Sequence, residues 1–254
     1  MDLWGVVHDG DRPFPGVVET LRELSSAGRR VIFLTNTSRT SPLVAETLCS
    51  TMGIGNDLYE TVISSGDVTR EALLSRDPPL FDLLPELPRF AHIGAPSFVP
   101  WLFELGLPFV DDLAHADLVV ATGTVRDEAA LATLREHLAP AAARGVPLVC
   151  TNPDPVIPRA GSTPTLGPGA VAGAYVELGG RVFLYGKPHA PIYAAARRQL
   201  GSVAPARVLA IGDLLETDIR GARNAGLASV LVTDTGIWTA AGITPDMVLT
   251  RFAW

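Results

Sequence analysis

Short apolar runs alternate with amphipathic stretches along most of this chain. The opening Met1–Val7 (MDLWGVV) reads as a short buried strand that turns near Gly5. Val17–Ala27 follows with a helical period, with Val18, Leu21, Leu24 and Ser25 on one side and Gly28 as its stop. Arg30–Leu34 is the next strand. Ser41–Met52 is a helix that Ser41-Pro42 starts and Gly53 ends. Glu60–Ile63 and Asp67–Ser75 repeat the strand–helix pair. Such alternation predicts a parallel sheet with helices on its faces.

The pattern breaks at Arg76–Pro88, where four prolines mark a connector with room for a turn of helix. A second alternating series follows. Arg89–Ile93, Leu107–Val110, Leu118–Thr122 and Val146–Thr151 read as strands, and Pro100–Leu105 and Asp127–Ala143 as helices. Asn152–Pro168 is rich in Pro, Gly and Thr and reads as a long loop; Gly169–Leu178 is helical, and Gly179-Gly180 marks a second connector. After it Val182–Tyr185, Val208–Ile211, Ala228–Val232 and Met247–Leu249 read as strands, and Pro191–Leu200 and Thr217–Ala225 as helices. The simplest architecture is one α/β domain, 1–80 and 181–254, interrupted by a second α/β module at 81–180.

Composition narrows the function classes. Hydrophobic residues make up 47% of the 254, which excludes a disordered chain. No apolar run reaches the ~18 residues that span a bilayer, and the basic-then-apolar pattern of a signal peptide is missing. The expectation is a cytoplasmic protein with no membrane partner. Cys49 and Cys150 are too few for a disulfide framework or metal cluster and are expected to be buried thiols. A net charge of −7 disfavours nucleic acid, whose binding rests on Lys and Arg. A small phosphorylated ligand needs only a local positive site.

Four short motifs fall at strand ends, where open α/β sheets bind ligands. In Asp2-Leu3-Trp4-Gly5-Val6, Asp2 can attack phosphorus, and Gly5 permits a sharp turn beside it. In Thr35-Asn36-Thr37-Ser38, a hydroxyl and backbone N–H groups can hold phosphate oxygens. In Gly186-Lys187-Pro188, the sole lysine of the chain can neutralise a phosphoryl group. In Gly212-Asp213-Leu214-Leu215-Glu216-Thr217-Asp218, Asp213 can ligate Mg²⁺, with Asp218 behind it bonding water or a backbone group. Alone, each also has an ordinary structural reading: a turn aspartate, a helix cap, a solvated lysine, a capping carboxylate.

Taken in order, the motifs resemble those of the haloacid-dehalogenase-like hydrolases. The likeness is to the subclass with a large cap inserted between the second and third motifs. It extends to Pro15-Gly16, Thr151-Asn152-Pro153-Asp154 and Pro168-Gly169-Ala170. The resemblance implies a Rossmann-like parallel-sheet core with an inserted α/β cap domain. It implies a Mg²⁺-dependent phosphatase of a small phosphorylated metabolite, acting through an aspartyl-phosphate on Asp2. Thr35, Asn36 and Lys187 would bind phosphate. Asp2, the Trp4 carbonyl and Asp213 would hold Mg²⁺, supported by Asp218. Cap-loop residues Asn152, Asp154 and Arg159 are candidates for substrate contact. Trp101 and Phe103 are expected in the cap core, His92, His115 and His137 in structural or solvated positions, and His189 near Lys187. The apolar cap faces offer a surface for a homo-oligomer.

The sequence departs from the family pattern at Trp4, where a second aspartate usually protonates the leaving oxygen. An indole N–H does not transfer a proton at neutral pH. His8 or Asp9 could substitute, although His8-Asp9-Gly10 also reads as a plain turn. Otherwise the substrate carries a good leaving group, or the protein binds a phosphorylated ligand or partner without turnover. Only Met1 precedes Asp2, which leaves two expectations open: a short opening strand, or a native start upstream of Met1.

Overall fold

A computed structural model describes residues 1–158, 163–236 and 242–253. Arg159 lies outside the described residues. The strands, in chain order, are β1 (Ile32–Thr35), β2 (Thr61–Ser64), β3 (Phe90–Ile93), β4 (Leu118–Ala121), β5 (Leu148–Cys150), β6 (Val156–Ile157), β7 (Thr165–Leu166), β8 (Val182–Leu184), β9 (Leu209–Gly212), β10 (Ala228–Val232) and β11 (Met247–Leu249). The chain divides into two compact units. One is Met1–Thr35, Ser41–Ser64 and Lys187–Trp254; the other is Asn36–Thr40 and Ser65–Gly186. The sequence places its boundaries at 81 and 180 instead.

In the first unit, β1 and β2 pair in parallel from Ile32↔Thr61 to Thr35↔Ser64, and β9, β10 and β11 form a parallel ladder. The first two residues join these pieces. Met1 donates to Ile32 O at 2.9 Å and accepts from Leu34 N at 2.8 Å. Asp2 N then donates to Ile211 O at 2.8 Å. The order is therefore β2, β1, Met1–Asp2, β9, β10, β11. The strand expected over Met1–Val7 is confined to this stub. Beyond it the chain winds into turns, with Val7 N and His8 N both donating to Leu3 O and Gly5 N to His8 O. Gly5 has φ +81, a left-handed turn that glycine takes without Cβ strain. Val6 and Val7 are buried by this turn, not by a strand, and pack with Leu3, Val17, Leu21 and Phe33 in the unit's core. Each such side chain contributes about 1.5–3 kcal/mol when fully buried.

Helix Val17–Ser26 buries Val17, Thr20 and Leu21, while Ser25, expected on the inner side, is exposed. The i, i+3, i+4 spacing sets that stripe. Thr217–Ala225, expected as one helix, opens as a π-helical turn over Leu215–Ile219 and continues as an α-helix over Arg220–Asn224. Cys150 is buried as expected, but Cys49 is exposed.

The second unit has its own parallel sheet, in the order β3, β4, β5, β8. Helix Glu128–Ala143 is capped by Asp127, whose Oδ1 accepts from Ala130 N at 2.9 Å. Helix Pro168–Glu177 carries Tyr175, fully buried, whose hydroxyl donates to Val146 O at 2.6 Å. Leu107–Val110 forms no strand. Pro108 has no N–H to give a ladder, and only a single bridge joins Phe109 to Phe90. Val182–Leu184, assigned by sequence to the part after 180, pairs with β5 as an edge strand of this sheet. The loop Asn152–Pro168 contains the short antiparallel pair β6–β7. No helix among the described residues is long and apolar enough to cross a membrane.

Candidate active site

The candidate site lies at the carboxyl ends of the first unit's strands. Asp2 N is tied to Ile211 O and the preceding Met1 to β1, so the Asp2 carboxylate has a fixed origin. Its Oδ1 accepts from Leu3 N at 2.7 Å and lies 2.7 Å from Lys187 Nζ. Lys187, 2% exposed, also donates to Asp218 Oδ1 at 2.7 Å. Asp218 sits in the π-helical turn, and its Oδ2 accepts from Leu214 N at 3.2 Å. Asp213 directly follows β9. Its Oδ1 is buried and has no hydrogen-bond partner. Carboxylate oxygens of Asp2, Asp213 and Asp218 all lie within 4.8 Å of one another.

Two glycines make room for this crowding. A Cβ on Gly5 would stand 2.0 Å from Asp213 Oδ2, and one on Gly212 would stand 2.2 Å from the Asp218 carboxyl carbon. The glycines flanking the acids in the sequence therefore admit the acids themselves.

One ammonium facing three carboxylates leaves an excess of negative charge in a dry place. Burial pushes Asp213 up to about 8, with repulsion from Asp2 and Asp218 adding to it. Burial also raises Asp218, although Lys187 pulls it down. For Lys187, burial alone would lower the value, but Asp2 and Asp218 outweigh it and raise it. An orphaned buried oxygen and an all-oxygen donor set suit a hard divalent cation such as Mg²⁺ or Ca²⁺. Asp2 and Asp213 fit as its ligands. Asp218, already bonded to Lys187 and Leu214 N, fits as their support.

Trp4 turns its ring onto the backbone at Gly10, where a Cβ would come within 2.3 Å of a ring carbon. It meets His8 edge to face at 5.9 Å. His8 Nδ1 accepts from Gly10 N at 3.1 Å, and burial lowers its pKa to about 4, against a smaller opposing pull from Asp9. Asp9 Oδ1 accepts from Asp11 N and Arg12 N, and the Arg12 bond leads in holding its pKa below the usual carboxylate range. These shifts favour a neutral imidazole at His8 and an ionised carboxylate at Asp9.

Thr35 ends β1 and is buried. His189 caps helix Ala190–Leu200 without a side-chain bond, and burial lowers its pKa. In the second unit, Asn36 Nδ2 donates to Asp154 Oδ1 at 2.8 Å, and Asp154 N donates to Asn152 Oδ1 at 2.9 Å. Asn152 and Asp154, expected to face substrate, are thus bonded to each other and to Asn36. The sequence reading did not single out the buried set around Ser38. Ser38 Oγ bonds Thr122 O and the Thr151 hydroxyl, and Trp101 Nε1 donates to Ser38 O at 3.0 Å. Ser38 and Thr151 each lie in a motif named above, but nothing in the sequence shows that the two meet.

Residues 1–107 match the haloacid dehalogenase-like hydrolase family, and residues 184–253 match a HAD-hydrolase-like family. This combination of a parallel α/β core with converging acids and a buried lysine is that of a hydrolase of this class. The chain is 31% identical to human chronophin, over 93% of its own length and 80% of that protein's. It therefore belongs to the haloacid dehalogenase-like hydrolases. Its fold matches the haloacid dehalogenase-like hydrolase of Brucella suis 1330 at a TM-score of 0.82 and 32% identity, covering 98% of this chain and 93% of that one. It also matches the p-nitrophenyl phosphatase of Archaeoglobus fulgidus at 0.72 and 25% identity, covering 98% and 94%.

Proposed function

We propose that this protein hydrolyses a small phosphate monoester through an aspartyl-phosphate on Asp2. The observation that carries the reading is the meeting of Asp2, Lys187, Asp213 and Asp218 around one buried, unsatisfied oxygen. Family membership and the phosphatase among its structural relatives support it.

Asp2 Oδ attacks phosphorus and the bond to the leaving oxygen breaks, leaving the phosphoryl group on Asp2. Water then attacks that phosphorus, releasing inorganic phosphate and restoring the carboxylate. Lys187 orients Asp2 and offsets the charge of the transferring group, while Asp218 holds Lys187 in place. Thr35 and Asn36 supply phosphate contacts. A Mg²⁺ held by Asp2, Asp213 and the Trp4 carbonyl would supply further charge neutralisation. With Trp4 in place of an acid, the leaving group departs best when it is weakly basic.

The test is a panel of phosphate esters with Mg²⁺, comparing the protein with Asp2→Asn. Turnover abolished by the substitution supports the reading. A panel with no turnover above the variant's background points to a protein that binds phosphorylated ligands without hydrolysing them.

A further inference from the structure

The second unit contains a chain of half-buried polar bonds that ends on the buried Asn36. Asp154 is held from behind, since its carbonyl accepts from Gly169 N at 3.2 Å and Gly167 N donates to Pro155 O at 2.8 Å. A Cβ on Gly169 would stand 2.1 Å from Pro153 O, and one on Gly167 would stand 2.1 Å from Asp154 O. The glycines opening helix Pro168–Glu177 thus let the 153–155 loop lie flat against the helix start. Asn152 closes the turn by accepting from Asp154 N. The Asp154 carboxylate is then presented to Asn36 Nδ2 at 2.8 Å. On the other side, Gly186 approaches so closely that a Cβ there would stand 2.5 Å from Asn36 Oδ1. The Asn36 amide is gripped at both ends, and it is buried. Two residues on, Ser38 is fixed through Thr122, Thr151 and Trp101.

We propose that Asp154 is a positioning residue for the phosphate-binding turn: it fixes the Asn36 amide, and through it the backbone that follows Thr35, without touching substrate. This rests on the phosphatase reading above. It also gives one explanation for two separate motifs, because Thr151–Asp154 and Pro168–Ala170 build the same brace. The amide–carboxylate bond is the step that matters. Removing the acceptor takes the Asp154 bond from the buried Asn36 amide and loosens its orientation, whereas an asparagine at 154 still offers an oxygen.

The experiment measures inorganic phosphate binding by calorimetry, with Mg²⁺ present, and KM for an aryl phosphate on the full chain. Asp154→Ala is expected to weaken phosphate binding and raise KM together by about tenfold or more, and Asp154→Asn to stay within about threefold of the parent. Asn36→Ala should reproduce the Asp154→Ala defect, and the double variant should be no worse than either single one. Gly169→Ala keeps Asp154 but crowds Pro153 O, and should lose phosphate affinity in part. It gives the reading even if Asp154→Ala fails to fold. Unchanged phosphate affinity in folded Asp154→Ala or in Gly169→Ala overturns the proposal. So does Asp154→Asn as defective as Asp154→Ala, or multiplying effects at 36 and 154. These results leave the phosphatase reading intact. A parent protein that neither binds nor turns over phosphate overturns both.

Discussion

Lys187 is the side chain whose loss the site tolerates least. Its ammonium lies between Asp2 and Asp218, both buried. Lys187→Met leaves those carboxylates facing each other without a counter-charge. The expected cost is about 3–5 kcal/mol in chemical denaturation, together with loss of turnover. Asp213 gives a pH signature. Its pKa is raised from an ordinary 3.8 to about 8. Between those values the metal-free folded state holds a proton that the unfolded state lacks. Its contribution to stability is therefore fully present below about pH 4 and is lost as pH rises through about 8. A divalent ion must displace that proton, so the rise in Tm on adding Mg²⁺ should grow from pH 6.8 to pH 8.5. His8 does not interfere there, because with its pKa lowered to about 4 it is neutral in the folded state, and its effect falls below the ordinary 6.5. A metal-induced shift that shrinks with rising pH would contradict this assignment. At Trp4 the missing proton donor can be restored. Trp4→Asp should speed hydrolysis of alkyl phosphates by about 10²–10⁴-fold and of aryl phosphates far less. Equal gains on both would remove the leaving-group argument.

At the scale of elements, the close fit of turn to acid is the feature most open to test. Gly5→Ala must take φ +81 and place a methyl 2.0 Å from Asp213 Oδ2. The backbone term alone costs about 1–3 kcal/mol, and the overlap moves Asp213. The variant should show a lower Tm and a weaker Tm response to Mg²⁺. A variant with the parent's Mg²⁺ response would show that Asp213 is not held by this turn. The elements also mark how far the sequence can be read. Ser41–Ser50, Phe90–Ile93, Glu128–Ala143 and Ala228–Val232 fall where periodicity places them, because amphipathic spacing is a local property. The opening strand is shorter than its apolar run implies, since a buried turn and a buried strand leave the same run at Leu3–Val7. Val182–Leu184 was recognised as a strand but assigned to the wrong sheet. An apolar run does not state its pairing partner.

For the whole molecule, the acids and the lysine were legible because the chemistry needs charged groups at strand ends, and this chain has one lysine to offer. The brace on Asn36 was not legible. Its bonds join residues 84 to 118 positions apart, and nothing periodic records them. The bonding of Asn152 and Asp154 is hidden for the same reason: a solvated polar loop and one that bonds Asn36 have the same composition. Within the second unit, Tyr175→Phe should cost about 1 kcal/mol by removing the bond to Val146 O, read as a lower Tm. An unchanged Tm would mean that bond adds nothing to the unit's stability.

The central claim is that Asp2 is the nucleophile. The protein is mixed with an aryl phosphate and Mg²⁺, quenched in acid within one turnover, digested and examined by mass spectrometry. The account predicts a phosphoryl group on the peptide containing Asp2, with neither adduct nor released phosphate from Asp2→Asn. Phosphate released at the parent rate by Asp2→Asn, or an adduct on any other residue, would contradict it.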